Sequence, residues 1–484
     1  MLTRREALRG IGVAVGAATL GCGTSHSSGE GEHPDAAGTP DGDVDAPPGA
    51  ADASPADAPP ADACAATSSM TAAQLLAGID TIVVLCMENR SFDHYLGSLK
   101  LVEGRAGVDG LTGNESNPAP SGPAVVAHPL DTYTPADPPH DWNSCHTQWN
   151  SGANDGFVKA HAGSSQADVM GYYVRSQIPI TYALADQSAM CERWFAAVMG
   201  PTWPNRFYLH CATSGGQKSN LPSFGVKSIF AQLADAKISS MNWFHDVAWA
   251  AAAYGKVGGN DTIEKFFAAA KAGTLPSFSI IDPHFIGNGA NDDHPSHDVR
   301  MGQALIASVV NAMAQSPHWP RSLLVVTYDE HGGFFDHVPP PTTVDERADF
   351  QQLGFRVPTL VVGPTVRRGC TIDTTFEHSS IAATVAARWG LTPLNDRAKA
   401  AADLSACIDP GALDSPHPPP VLPTMTISKK ALAARPHAPA HEELLDAIAA
   451  RPLPPHLDRR ADADGVTARF LDWAERLGAV TLVD

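Results

Sequence analysis

The chain has 484 residues, of which 43% are hydrophobic and 18% charged, and its formal net charge is −19. That surplus of acid excludes a nucleic-acid binder or an anionic-membrane binder held by charge, because both need a basic surface. The aromatic content (Trp 9, Tyr 8, Phe 17) supplies core anchors and excludes a chain that is disordered throughout.

The N-terminus starts Met-Leu-Thr-Arg-Arg and runs into an apolar stretch, Gly10 to Gly21, ahead of Cys22. A basic start followed by an apolar run of this length reads as a signal peptide, residues 1–22, too short for an ordinary membrane span. Arg4-Arg5 is similar to a twin-arginine signal. The expected location is therefore periplasmic, lipid-anchored or secreted. Cys22 after Leu20-Gly21 resembles a lipoprotein cleavage site, and cleavage by an ordinary signal peptidase is the alternative. Residues 23–65 carry nine acidic residues, no Lys or Arg and no aromatic residue. Such a segment cannot bury enough apolar surface to offset its ordering entropy, so it is expected to be a disordered linker. There are eight cysteines and no CxxC pair, which argues against a Cys-based zinc site. Export permits disulfides. Cys370 and Cys407 are candidates for a bridge, and Cys86, inside an apolar run, reads as a buried thiol.

From residue 66 onward, short apolar runs alternate with helical patterns. The strand-like runs are 79–86, 241–244, 278–281, 323–327 and 358–362. The helical patterns are 226–237, 262–271, 299–315 and 378–389. Continuous β-branched runs indicate strands buried on both faces, and the alternation predicts an α/β fold with a doubly wound, mainly parallel sheet flanked by helices. Residues 103–170 are rich in Gly, Asn, Pro, Trp and His and read as a loop-rich insertion covering a site. The main domain is expected over 66–410. Residues 411–484, with helical patterns at 442–450 and 466–477, are expected to form a small C-terminal helical appendage packed on the sheet.

Polar residues follow the predicted strands directly. Glu88-Asn89 follows the first, His245-Asp246 the second, Asp282 and His284 the third, and Asp329-Glu330-His331 the fourth. In open α/β sheets the ligand site lies outside the carboxyl ends of the strands. Two acid-rich pairs at neighbouring strand ends suit a hard divalent cation, Ca²⁺, Mg²⁺ or Mn²⁺, with Zn²⁺ as an alternative. The segment 292–298, Asp-Asp-His-Pro-Ser-His-Asp, precedes a helix that Asp298 is placed to cap. His294 and His297 in it suit phosphate binding, proton delivery or metal ligation. The turn 200–206, Gly-Pro-Thr-Trp-Pro-Asn-Arg, could raise the Thr202 hydroxyl toward a metal that lowers its pKa and makes it a nucleophile.

Four blocks together resemble one family. Glu88-Asn89-Arg90-Ser91-Phe92-Asp93-His94-Tyr95-Leu96-Gly97 is similar to the signature of the bacterial phosphoesterase family, which contains phospholipases C and exported acid phosphatases. The turn 200–206 resembles its nucleophile turn, and His294-Pro295 with His297-Asp298-Val299-Arg300, and Tyr328-Asp329-Glu330-His331-Gly332-Gly333, resemble two further blocks. The blocks fall in family order within about 78–395. The resemblance implies an alkaline-phosphatase-like fold. It implies metal ligation by Glu88, Asn89, Thr202, Asp329 and Glu330, and a phospho-threonine at Thr202. His294, His297 and His331 would hold phosphoryl oxygens or protonate the leaving group. His140 and His378 are similar to further substrate-site histidines. Phospholipase C members carry Thr at the nucleophile position, whereas acid phosphatases tend to carry Ser.

A phosphatidylcholine-type substrate would need an aromatic face for its choline group; Trp142, Trp149, Tyr172, Tyr173 and Trp203 are available nearby in sequence, although most of them read as core or lid packing. The expected partner is a phosphate ester or phospholipid. No nucleic acid is expected, and a membrane only through a lipid anchor or a lipid substrate. An exported acid phosphatase or phosphodiesterase acting on small soluble esters is the alternative activity. A ligand-binding surface lipoprotein is the non-catalytic one.

Overall fold

The first predicted strand, Thr81–Met87, forms as a seven-residue β-strand (β1) with every residue buried. Such a strand needs neighbours on both edges and cover on both faces. The neighbours are Phe278–Asp282 (β5) and Ser322–Tyr328 (β6), both parallel to it. In the computed structural model, which describes residues 68–484 except 162, 164, 257 and 434–439, these three strands form the centre of an eight-stranded sheet. The others are Ala189–Met190 (β2), Ser240–Phe244 (β3), Asn260–Thr262 (β4), Leu360–Val362 (β7) and Cys370–Thr371 (β8), and the order is β8-β2-β7-β6-β1-β5-β3-β4. The signal peptide, Cys22 and linker expectations fall outside the described residues.

Only β7 runs against the rest, antiparallel to both β6 and β2. Its sequence predicts a strand like its neighbours, but direction is set by the connection. A parallel neighbour needs a crossover, usually helical, and between β6 and β7 the chain forms loops and a single 3₁₀ turn.

Both faces are covered by helices. In chain order the helices used below are Phe92–Leu96 (α1), Trp142–Trp149 (α2), Pro179–Gln187 (α3), Thr202–Cys211 (α4), Ile229–Asp235 (α5), Ile263–Ala272 (α6), Val299–Ala314 (α7), Ser380–Trp389 (α8), Glu442–Ala450 (α9) and Ala463–Arg476 (α10). Helices α3, α6 and α10 pack around α7, and α5 and α8 pack against α4. The start of α7 is set by Asp298, whose side chain accepts from the Arg300 amide. Val299, Leu305, Ile306, Val309 and Val310 of α7 are buried in the main core with β1 and β6.

The C-terminal segment joins the main core through Phe470 and Leu471. Helix α10 packs on α6 and α7, and Met425–Ser428 (β9) pairs in parallel with Val480–Val483 (β10) as a small separate sheet. Helix α9 packs on the short helix Trp249–Tyr254. Among the described residues no helix is long and apolar enough to cross a membrane. Cys370 is disulfide-bonded, but not to Cys407, which is a free buried thiol 3.7 Å from the free Cys191. Cys86 is free and buried, as its place in β1 predicts.

Candidate active site

Strand register builds the site. Met87, the last residue of β1, pairs with Tyr328, the last residue of β6. The next residue on each chain is therefore at the same sheet edge, and these are Glu88 and Asp329. The chain turns sharply at Asn89, whose φ of 61° lies in the left-handed region where Asn is among the few tolerated side chains. The Asn89 amide donates to Asp329 Oδ1 at 3.0 Å, and the Glu330 amide donates to the same atom at 2.7 Å. Gly332 completes the lock. Its φ is 64°, and a Cβ there would lie 2.1 Å from the Asn89 carbonyl oxygen, so only glycine fits.

The turn 200–206 delivers Thr202 as the first residue of α4, 2% exposed. Its hydroxyl donates to Asn89 Oδ1 at 3.4 Å. One turn on, the i,i+4 spacing puts Arg206 on the same helix side. Arg206 is fully buried. It donates from Nε to Glu88 Oε1 at 3.0 Å, and its guanidinium lies 3.4 Å from Asp329 and 4.0 Å from Asp282. The sequence places Arg206 in the nucleophile motif but gives it no role; the fold makes it the counter-charge under three strand-end carboxylates.

One guanidinium does not satisfy these carboxylates. Glu88 Oε2, Asp329 Oδ2 and Glu330 Oε1 are buried without a hydrogen-bond partner. Burial pushes the Glu88 and Asp329 carboxyls up, with Arg206 opposing. Three orphaned carboxylate oxygens, with the Asn89 amide and the Thr202 hydroxyl, are oxygen donors of the type a hard divalent cation takes, and Glu88 also has its donor oxygen within 4.8 Å of imidazole nitrogens of His294 and His441.

Facing the carboxylates is a group of imidazoles. His140 comes from the insertion, where its Nδ1 donates to the Pro138 carbonyl at 2.7 Å. Its Nε2 lies 3.3 Å from the Asn89 amide and 3.8 Å from Glu330. Burial pulls its pKa down, but Glu330 and Asp137 outweigh burial and bring it to about 9. His294 and His297 come from the loop before α7. His294 Nδ1 contacts the Pro295 carbonyl, and His297 Nδ1 donates to Asp292 Oδ1 at 2.7 Å. Each bond leaves the ring's Nε2 unclaimed, and the two ring centroids are 5.9 Å apart. Burial, with His441 beside it, holds the His294 pKa well below the usual imidazole value.

Two expected histidines and one tryptophan stand elsewhere. His331 has both ring nitrogens committed, Nε2 to Gln148 Oε1 at 2.8 Å and Nδ1 against Glu330 at 3.2 Å. It orients Glu330 and has no free atom for a phosphoryl group. His378 donates from Nε2 to the Asp329 carbonyl at 2.5 Å and accepts from the Trp194 indole at 3.3 Å. Indole only donates, which fixes that tautomer, and His378 lies behind Asp329 rather than in contact with a ligand. Trp203 is 1% exposed and buried in a cluster with Phe207, Trp249 and Phe285. It offers no face to a choline group. Trp142 has one face covered by Lys218, whose Nζ is 4.5 Å from the ring centroid.

The sequence reading missed a residue from the C-terminal segment. His441, just ahead of α9, donates from Nε2 to Asp292 Oδ2 at 2.8 Å, and its Nδ1 lies 3.8 Å from Glu88 Oε2. Its ring is 4.6 Å from that of His294. Burial works against its charge, but Glu88 and Asp292 outweigh burial and raise its pKa to about 10. A single carboxylate, Asp292, thus holds His297 on one oxygen and His441 on the other. The faint sequence signal was a His where a helix start usually carries Ser, Thr, Asp or Asn.

The pattern of the Phosphoesterase family matches residues 79–392. The chain belongs to the Phosphoesterase family. It is 35% identical over 356 residues to non-specific phospholipase C1 of Arabidopsis thaliana, covering 63% of this chain and 66% of that protein. It is 30% identical over 387 residues to phospholipase C A of Mycobacterium tuberculosis, covering 65% and 74%. The chain thus spans about two thirds of the length of the plant relatives. Solved structures similar to it include a phosphonate monoester hydrolase of Agrobacterium radiobacter (TM-score 0.34, 10% identity, 65% of this chain and 74% of that one). Another is a protein in the alkaline phosphatase superfamily from Vibrio parahaemolyticus (TM-score 0.33, 12% identity, 63% and 84%). At these scores the assignment rests on the sequence match, which ends before His441.

Proposed function

We propose that this chain is a metal-dependent phosphoric ester hydrolase of the phospholipase C type. It cleaves phosphatidylcholine-type phosphodiesters through a phospho-threonine at Thr202. The observation that carries the reading is the juxtaposition at Asn89. The Thr202 hydroxyl contacts one edge of that side chain, three orphaned carboxylate oxygens belong to its neighbours, and His140 lies on its amide.

Thr202 Oγ gives up its proton to solvent and attacks phosphorus, and the bond from phosphorus to the alcohol oxygen breaks; on hydrolysis of the phospho-threonine Oγ takes a proton back from solvent. The departing oxygen takes a proton from His297, whose Nδ1 is held by Asp292. Water then attacks the phospho-threonine, its proton returns to that imidazole, and the phosphorylated head group leaves with the Thr202 hydroxyl restored. A divalent ion on Glu88, Asn89, Asp329, Glu330 and Thr202 would ease loss of the hydroxyl proton and offset charge on a non-bridging oxygen. His331 and His378 hold Glu330 and Asp329 in place. With phosphatidylcholine the products are diacylglycerol and phosphocholine. The Arg4-Arg5 start supports export by the twin-arginine route, with Cys22 as the candidate lipidation site.

A second reading, hydrolysis of small soluble phosphate esters, is favoured by one observation: Trp203 is buried and one face of Trp142 is covered by Lys218. The two readings separate on p-nitrophenyl phosphorylcholine against p-nitrophenyl phosphate. Turnover of the choline diester, lost with chelator and reduced by at least about 10³-fold in Thr202→Ala, is the expected result. Turnover of the monoester alone selects the second reading. Full activity in Thr202→Ala rules out the phospho-threonine route.

A further inference from the structure

We infer that His441, supplied by the C-terminal segment, is a substrate contact that holds a phosphoryl oxygen in this site, and that Asp292 positions it there. The inference rests on the phosphoesterase reading and extends it to a residue beyond the segment that the family pattern matches.

The geometry begins with the ring. His441 Nε2 is fixed by Asp292 at 2.8 Å, which leaves Nδ1 as its working edge. The carboxylate oxygens near Nδ1 are Glu88 Oε2 at 3.8 Å and Glu443 Oε1 at 3.9 Å, both beyond hydrogen-bond length. His294 and His297 likewise have one nitrogen committed and Nε2 unclaimed. The three rings surround a single space, with centroid separations of 4.6, 5.9 and 6.0 Å. Three nitrogen edges around one space match the several oxygens of a tetrahedral phosphoryl group. Glu88, against His441, is the chain neighbour of Asn89, which contacts the Thr202 hydroxyl, so the imidazole edge and the nucleophile address the same turn.

The placement is also built. Leu444 and Ile448 of α9 are buried in one cluster with Trp203 and Phe207 of α4. The helix that follows His441 packs on Trp249–Tyr254, and the Trp249 ring in turn lies 5.7 Å from that of Trp203 on α4. The His441 backbone is left-handed, with φ 59°, which turns the side chain away from the helix axis and toward Asp292. An imidazole serving only as a structural ion pair would need Asp292 alone. It would not need its second nitrogen aimed between Glu88 and His294.

The test uses the full-length protein. His441→Gly removes the ring at a backbone angle that glycine accepts without strain. His441→Asn keeps a polar side chain at the start of α9 and guards against misfolding of the first variant. Expected is a fall in kcat/KM on p-nitrophenyl phosphorylcholine of at least about 10²-fold in His441→Gly, the size of one lost transition-state hydrogen bond. Inhibition by inorganic phosphate should weaken about tenfold or more, with bound metal and melting temperature unchanged. Added imidazole should restore part of the activity to His441→Gly. Two results overturn the inference. One is kcat/KM and phosphate inhibition within about threefold of wild type in both variants. The other is loss of bound metal in step with activity, which would make the Glu88, His294 and His441 cluster a metal site instead. Thr202→Ala runs alongside: its activity decides the phospho-threonine reading, while phosphate inhibition reports on His441 independently.

Discussion

Two clusters of nearly the same composition, each a buried arginine among carboxylates, differ in how far their atoms are paired. In the first, Arg206 faces Glu88, Asp329 and Asp282. In the second, Arg356 faces Asp336 at 2.8 Å, Asp93 at 3.1 Å and Asp109 at 3.8 Å. Both draw on the same short motif, since Glu88 and Asp93 are five residues apart. The difference is satisfaction. Around Arg356, His337 bonds Asp93 at 2.7 Å and Asp109 at 3.2 Å, while Asp336 accepts from the Asp93 and Val338 amides. None of the acids around Arg356 has an orphaned oxygen, whereas Glu88, Asp329 and Asp282 each have one. A cluster of acids and a cation is a structural brace when its atoms pair, and a receptor for a further cation when they do not.

The comparison breaks first at Asp329. Asp329→Asn keeps an oxygen for the Asn89 and Glu330 amides but removes one charge from the orphaned set. We expect activity to fall by at least about 10²-fold and the stabilisation conferred by added metal to disappear. The metal-free protein should melt no lower than wild type, because burial and Glu88 already disfavour this charge. A variant that melts several degrees lower without metal would mean that the site carboxylates are structural after all.

The opposite behaviour belongs to Arg356. Arg356→Met removes the cation and leaves Asp336 and Asp93 charged and buried. Breaking a buried pair from one side costs about 3–5 kcal/mol, and urea unfolding should show it whether or not chelator is present. If folded protein survives in quantity, its turnover per folded molecule should match wild type. Stability within about 1 kcal/mol of wild type would remove the distinction drawn between the two clusters.

Much of this contrast was legible from the sequence, and the illegible part has a common cause. Glu88, Asn89, Asp329 and Glu330 were readable because each follows a continuous apolar run, and parallel strands bring their ends to one edge. Direction was not readable for β7, since the reversal comes from the loop ahead of it and not from Leu360–Val362. Residue type identified His294, His297, His331 and His378 as one class. Their roles separate only on the second ring nitrogen, which is taken in His331 and His378 and unclaimed in His294 and His297. Trp203 reads as one candidate aromatic face among several, and the turn alone does not show that it is buried with Phe207, Trp249 and Phe285. His441 stood far from every motif, in a segment that reads as an appendage, because nothing in local periodicity reports a contact with Glu88 more than 350 residues earlier.

The smallest effect concerns what holds that segment down. Glu264 on α6 accepts from Arg459 at 2.7 and 3.0 Å and from Arg469 at 3.0 Å, tying the C-terminal segment to the main domain. Burial raises the Glu264 pKa, but the Arg459 bonds outweigh it and lower the value to about 2. A carboxyl with a depressed folded pKa contributes stability in full above its unfolded value of about 4.3, and that contribution fades as pH falls toward the folded value. The full shift corresponds to about 3 kcal/mol, but the pair is partly open to water, and screening reduces this to about 1–2 kcal/mol. Glu264→Gln should therefore melt below wild type at pH 6 and above, and the gap should close between about pH 4.5 and pH 2. A gap independent of pH would mean that Glu264 acts by packing rather than charge. Closure of the gap would show that the charge of Glu264 helps hold the C-terminal segment to α6. Because that segment carries His441, weaker phosphate inhibition should then appear in Glu264→Gln at a pH where wild type still binds.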